Sequence, residues 1–218
     1  MGEYGRLMRI TKFGHACVRV EDGEDRIVID PGGWTAPEAV DGATGVLITH
    51  EHADHWTADH LRRTDAPVFT IAAVADQLPD DVRERTTVVT PGARLLDLGI
   101  AVTVVGEKHA IIHPELPHFD NSGYLLEAGG LSLFHPGDAL THPGRDIDVL
   151  LLPVSAPWLK ASECIDYARD VRAPRNLAIH DAVYSEAGLG IIDAHLARFL
   201  EPQGQEYVRL EGGADLRS

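Results

Sequence analysis

Cysteine is nearly absent from this chain. Its 218 residues include only Cys17 and Cys164. A disulfide framework therefore does not organise the fold, and a zinc site built from several thiolates is excluded. Long apolar runs are missing as well: no stretch approaches the ~20 residues needed to span a bilayer. Met1-Gly2-Glu3-Tyr4-Gly5-Arg6 has no apolar segment behind a basic start, which predicts a cytoplasmic protein without a secretory signal. Clustered positive charge is the third absence. The net charge is −15 with histidine neutral, a field that repels nucleic acid and anionic membranes, and no Lys/Arg cluster offers a nucleic-acid-binding face. A small-molecule substrate is the expected partner, and a homo-oligomer is left open.

What is present fits an ordinary soluble globular protein: 44% hydrophobic and 24% charged residues. The length predicts one domain over 1–218. Residues 7–13, 16–20 and 26–29 read as strands, the last two joined by the polar turn Glu21-Asp22-Gly23-Glu24-Asp25. A buried strand is expected at 46–49, helices at 57–63 and near 72–78, and strands at 68–71 and 87–89. The second half repeats the order. Strands are expected at 100–105, 123–127 and 131–134, the last two joined at Ala128-Gly129-Gly130. Val149–Pro153 is a continuous apolar run, as in a strand covered on both faces. A helix over 162–171 has Ser162 as its N-cap. A short strand at 177–179, an amphipathic helix at 191–200 ending before Pro202, and a strand at 207–210 follow. This order predicts an α/β protein with helices outside and two sheets packed face to face.

The chemistry concentrates after residue 49. The apolar run Val46-Leu47-Ile48-Thr49 leads directly into His50-Glu51-His52-Ala53-Asp54-His55, within a chain that carries 12 histidines. A strand end fixes the backbone while the loop aims side chains outward. Imidazole suits zinc and other late first-row metals, and carboxylate adds a harder ligand. Three histidines and an aspartate in six residues exceed what one tetrahedral ion takes from one loop. The loop is therefore read as serving two ions, with His50 and His52 toward one and Asp54 and His55 toward the other. Glu51 alternates away from them and is read as an exposed charge or a general acid/base.

His50-x-His52-x-Asp54-His55 after an apolar strand resembles the signature of the metallo-β-lactamase superfamily. Phe13-Gly14-His15-Ala16-Cys17, followed by Ile29-Asp30-Pro31-Gly32, resembles the start of the subgroup containing the L-ascorbate-6-phosphate lactonase-like proteins. The resemblance covers nearly the whole chain. It implies a four-layer αββα sandwich of two similar halves, with the metal site at one edge of the sheets. It also implies three distant ligands, each after a strand: His109, with His113 and His118 as rivals in the same loop; Asp138, as a carboxylate bridging both ions; and His180. The implied set is His50, His52, His109 and Asp138 on one ion, and Asp54, His55, Asp138 and His180 on the other. The ions are divalent, zinc first, with manganese or iron as alternatives.

Around the ligands, Asp30 and His135 are candidates for orienting their rings, Asp30 being equally readable as an Asp-Pro-Gly turn. His15 reads equally as a site or a structural residue. Asp181 and Tyr184 are candidates to line the pocket, and Trp34 and Trp158 are either an aromatic wall or core. The expected activity is hydrolysis by a metal-activated bridging hydroxide, with Asp54 and Asp138 in the catalytic centre, on a lactone or other ester of a small molecule. Phosphodiester hydrolysis and a non-catalytic metal-binding or sensing role on the same scaffold are the alternatives.

Overall fold

The computed structural model describes residues 8–106 and 108–216; residue 7 of the expected first strand and Glu107 lie outside the described residues. One sheet contains, in spatial order, β1 (Arg9–Gly14), β2 (Cys17–Asp22), β3 (Asp25–Ile29), β4 (Gly45–Ile48), β5 (Val68–Thr70) and β6 (Thr86–Val88). The other runs from β7 (Arg94–Leu95) through β8 (Ala101–Val105), β9 (Gly123–Ala128), β10 (Leu131–His135), β11 (Val149–Pro153) and β12 (Arg175–Ile179) to β13 (Glu206–Val208). Both sheets follow one plan. β1, β2 and β3 form an antiparallel meander, and β3 to β6 are parallel. Likewise β8, β9 and β10 are antiparallel and β10 to β13 parallel, with β7 added antiparallel to β8. The duplication expected from the element order is thus a duplication of topology.

Side-chain alternation explains the layering. Ile27, Ile29 and Leu47 point inward, as do Val102, Val104, Leu133, Val149, Leu151, Leu177 and Ile179, and together they form the core between the sheets. Their neighbours face outward. Val46, Ile48 and Val68 pack under α1 (Ala58–Leu61), α2 (Ala72–Ala75) and α3 (Asp80–Arg83), through Leu61, Val74 and Val82. Leu150, Leu152 and Ala178 pack under α4 (Ala161–Val171) and α5 (Glu186–Leu200), through Ile165, Ala168, Ile192 and Leu196. A strand buried on both faces needs apolar residues at successive positions, which is why Val149–Pro153 shows no polar alternation. The architecture is the αββα sandwich, with helices on both outer faces.

Several local boundaries differ from expectation. Lys160, not Ser162, occupies the N-cap of α4; Glu163 reaches back to the Lys160 backbone N–H at 3.1 Å, so the acidic residue three places on sets the start. α5 begins at Glu186 rather than 191, because Ser185 accepts from the Gly188 N–H at 3.3 Å and carries the helix through Gly188 and Gly190. The single-turn α3 and the two-residue β7 are too short to leave a periodic signal.

Candidate metal centre

Parallel pairing decides where the site lies. β1, β3 and β4 end at the same edge of the first sheet, and β8, β10, β11 and β12 at the same edge of the second. The segments after these strand ends supply His15, Asp30, residues 50–55, His109, Asp138, Ser155 and His180. Three of them, His15, Asp30 and His180, have positive φ (45°, 51° and 54°). That conformation is uncommon for residues with a Cβ and is held where surrounding structure over-determines it. Here the His180 backbone N–H donates to the His15 carbonyl at 3.0 Å and stitches the two edges together.

The geometry brings two groups together. His50, His52, His109 and Asp138 place one ligand atom each within 4.8 Å of one another, and so do His15, Asp54, His55 and His180. Asp138 lies between the groups. Its Oδ1 is 3.1 Å from His55 Nε2, and its Oδ2 is 3.0 Å from His180 Nε2, 3.4 Å from His109 Nε2 and 4.0 Å from His50 Nε2.

Hydrogen bonds on the far side of each ring decide which nitrogen is free. His55 Nδ1 donates to Asp30 Oδ2 at 2.7 Å, His109 Nδ1 to the Ala110 carbonyl at 2.5 Å, and His180 Nδ1 to the Ser155 carbonyl. The Thr49 hydroxyl donates to Asp30 at 2.7 Å, so its oxygen accepts from His50 Nδ1 at 3.0 Å. Each of these rings therefore keeps its Nδ1 proton on the far side and turns Nε2, the atom a metal would take in place of a proton, toward the cluster. His52 is oriented the other way, with Nδ1 facing His50 Nε2 at 3.0 Å. Nε2 of His55, His109 and His180 and Oδ1 of Asp138 are buried without a hydrogen-bond partner. Buried polar atoms left this way are costly, and their convergence fits divalent cations.

His15 is different. The Ala182 N–H donates to its Nδ1 at 3.2 Å, so Nε2 carries the ring proton and donates to Asp54 Oδ2 at 3.1 Å. Burial, chiefly, lowers its pKa to about 4, so the ring is neutral at pH 7 and acts as a donor.

Charge is balanced inside the site. Burial opposes ionisation of Asp138, but His55, His180 and His109 outweigh it and hold this carboxylate well below its ordinary range. Asp54 is lowered too, its burial overcome by the hydrogen bond from His15 and by the nearby His180 and His55 rings. Burial likewise opposes protonation of His180, but Asp138 and Asp54 push its pKa up to about 9.

The sequence profile of the beta-lactamase superfamily domain matches residues 9–180. The chain belongs to this superfamily. It is 38% identical over 189 residues to Protein Rv0786c of Mycobacterium tuberculosis, covering 84% of this chain and 89% of that one. It is 31% identical over 153 residues to the UPF0173 metal-dependent hydrolase Atu1317 of Agrobacterium fabrum, covering 65% and 64%. The solved structure of Igni18, a metallo hydrolase from Ignicoccus hospitalis, superposes with a TM-score of 0.72 at 17% identity over 96% of this chain and 97% of that one. This superfamily member is a metal-dependent hydrolase.

Within this hydrolase the structure sorts the remaining candidates. His113 is exposed and accepts from the Glu115 N–H, and His118 is exposed and donates to the His109 carbonyl at 2.8 Å; neither enters the cluster. Asp30 is fully buried and accepts from Thr49 and His55, which is a supporting role rather than a bare turn. His135 orients no ring of the cluster: it donates to the Ala16 carbonyl and accepts from the Gly137 N–H, bracing the turn before Asp138. Asp181 pairs with the buried Lys12. Tyr184 does not line the cleft; Val183 does. Glu51 is half-buried and outside the cleft lining, its carbonyl accepting from Trp56 Nε1. Trp34 and Trp158 both line the cleft, and Trp158 Nε1 donates to Asp138 Oδ2 at 3.0 Å.

Sequence reasoning missed Thr49, Asn121 and Ser155. Asn121 accepts from the Asp138 N–H at 3.1 Å and donates to the Pro136 carbonyl at 2.9 Å, clamping the turn. Ser155 supplies the His180 acceptor. A polar residue beside a buried strand end was the available signal. Among the described residues no helix is long and apolar enough to cross a membrane.

Proposed function

We propose that the chain acts as one hydrolase unit that binds two divalent ions, zinc first, and cleaves a lactone or other ester of a small molecule. His50, His52, His109 and Asp138 would hold one ion, and Asp54, His55, Asp138 and His180 the other. The observation that carries this reading is the convergence of the partnerless buried atoms of His55, His109 and His180 around Asp138, at the base of one cleft. Bound ions supply an acidified water and an electrophilic pole for the substrate oxygen.

The protein's share is geometry and charge. Asp30, Thr49, Ala110 and Ser155 fix the orientation of four rings, so each points Nε2 at the ion position without reorganising. Trp158 and Asn121 hold Asp138 from two sides. His15 holds Asp54. Hydrolysis adds the water oxygen to the acyl carbon, breaks the C–O bond to the alkoxy oxygen and returns a proton to that oxygen, so acid and alcohol leave.

Metal analysis of the purified protein, followed by lactone, thioester and phosphodiester substrates with zinc- and manganese-loaded enzyme, tests the proposal. Two equivalents of metal and turnover of the lactone arm are expected. Fewer than one equivalent in every preparation would overturn the ligand assignment, and turnover of the phosphodiester alone would overturn the substrate class.

A further inference from the structure

The walls of the cleft above the metal cluster say more about the substrate than the cluster does. The cleft has a volume of about 440 Å³. Apart from His52, Asp54, His109, Asp138 and His180, the side chains that line it are those of Trp34, Ala53, Ile112, Pro157, Trp158 and Val183. None carries a charge, a hydroxyl or an amide. They offer two side-chain N–H donors, the indoles of Trp34 and Trp158, and Trp158 Nε1 is committed to Asp138. No lysine or arginine lines the cleft among the described residues. Lys12 is 1% exposed and paired with Asp181. The apolar surface continues to the rim, where Trp34 is 54% and Val183 38% exposed.

From this lining we infer that the substrate is an uncharged ester or lactone carrying an apolar chain or ring, and not a phosphorylated or polyhydroxylated one. The inference rests on the hydrolase reading above and narrows it. A phosphate or a sugar hydroxyl carried into this cleft would leave water with only the Trp34 indole N–H on the walls to replace it, and no side-chain acceptor or cation. The chain's net charge of −15 works against an anion in the same direction. An alkyl or aromatic group would exchange water for Ile112, Pro157, Val183 and the faces of two indoles, while its acyl carbon and carbonyl oxygen sit at the metal end. For a lactone, the water oxygen bonds to the carbonyl carbon, the ring C–O bond breaks, and the ring oxygen departs with a proton as the alcohol of a hydroxy acid.

Rates on methyl, pentyl and heptyl γ-lactones and on phosphogluconolactone test this, using the metal-loaded full chain. The expected kcat/KM rises about fourfold per added methylene, hence about 250-fold from methyl to pentyl. The phosphorylated sugar lactone should be the poorest substrate. Val183→Lys alters an exposed position, so the fold should stand; it should flatten the chain-length dependence at unchanged metal content. Calorimetry with the pentyl γ-lactam, which is not turned over, gives a second readout without chemistry: it should bind wild type and bind Val183→Lys at least about tenfold more weakly. A flat chain-length series, or phosphogluconolactone as the best substrate, would overturn the apolar assignment while leaving the hydrolase reading intact. No turnover of any lactone by fully loaded protein that still binds the lactam would overturn the ester-hydrolysis reading and leave the apolar cleft standing. No turnover and no lactam binding would overturn both.

Discussion

His15 and His109 occupy the same place in the two halves of the sandwich, and their rings carry the proton on opposite nitrogens. His15 follows β1 and His109 follows β8, the first meander strand of each half. His109 donates from Nδ1 to a carbonyl and frees Nε2; His15 accepts at Nδ1 from Ala182 and donates from Nε2 to Asp54. Asp30 and Asp138 are a matching pair after β3 and β10. At these two matched positions the second half turns candidate ligand atoms toward the cluster, and the first half supports them.

His15 is accordingly a positioning residue. His15→Ala should keep two metal equivalents at saturating metal, with activity lowered about 10–100-fold. His15→Gln, which can restore an N–H toward Asp54, should recover part of that loss. The cobalt-loaded absorption spectrum should keep its coordination signature in both variants. Loss of one equivalent at saturating metal would make His15 a ligand and end this argument.

Trp158 reaches the same centre from the wall. Its N–H to Asp138 is a hydrogen bond to a charged group, worth about 1.5–3 kcal/mol. Trp158→Phe removes that bond and keeps an aromatic face. Metal affinity, followed by competition with a chelator, should weaken about tenfold or more, with KM for an apolar lactone little changed. An unchanged affinity with a raised KM would show that the indole serves only as a wall.

Much of this was legible in the chain. The loop at 50–55 declares itself because its candidate ligands are contiguous, and the strands declare themselves because burial on both faces demands runs such as Val149–Pro153. The role of His15 does not, because it exists only once one sheet edge meets the other, and those of Thr49, Asn121 and Ser155 exist only once separate segments of one half come side by side. The Ala182 N–H that fixes the tautomer of His15 is 167 residues away in sequence. The start of α5 was hidden for a local reason: Gly188 and Gly190 lower helix propensity, and the Ser185 cap offsets it.

Protons and metals compete for the same nitrogens. The His180 pKa stands at about 9 without metal, above the ordinary 6.5. A raised pKa contributes stability that is full below the unfolded value and lost as pH rises through the folded one, here between about 6.5 and 9. Metal binding must displace that proton, so affinity grows over the same interval. The Tm difference between metal-loaded and metal-free protein should therefore widen from pH 6.5 to 9 at constant free metal. A constant or narrowing difference would contradict this linkage.

Asp30 carries the inner support of the ligand loop. It is 0% exposed and accepts from the Thr49 N–H at 2.8 Å, the Thr49 hydroxyl at 2.7 Å and His55 Nδ1 at 2.7 Å. Asp30→Ala strands all three donors, and breaking a buried charged network of this kind costs about 3–5 kcal/mol. Asp30→Asn keeps the shape but turns an N–H toward one of those donors. It should fold with a smaller loss and bind metal more weakly, because His55 loses the acceptor that holds its proton on Nδ1. Chemical denaturation and chelator competition on the two variants separate these effects. If Asp30→Ala unfolds at wild-type denaturant concentration, Asp30 is a turn residue and the orientation of His55 has another cause.

The loop also depends on a position where no side chain fits. A Cβ on Gly32 would stand 1.7 Å from the Asp54 carbonyl oxygen and 2.5 Å from the His55 nitrogen, both backbone atoms that cannot swing aside. On neighbouring Gly33 the nearest atom would be the Ala53 oxygen at 3.2 Å, a contact that a few tenths of an ångström relieves. Gly32→Ala must push residues 54 and 55 outward and pull Asp54 and His55 off the second group of ligands; Gly33→Ala need not. The former should cost more than about 3 kcal/mol, beyond ordinary overpacking, and lose one metal equivalent. The latter should stay within about 1 kcal/mol with both equivalents retained. Equal effects of the two substitutions would show that the 30–34 turn yields as a unit, and that the metal loop is not seated on Gly32.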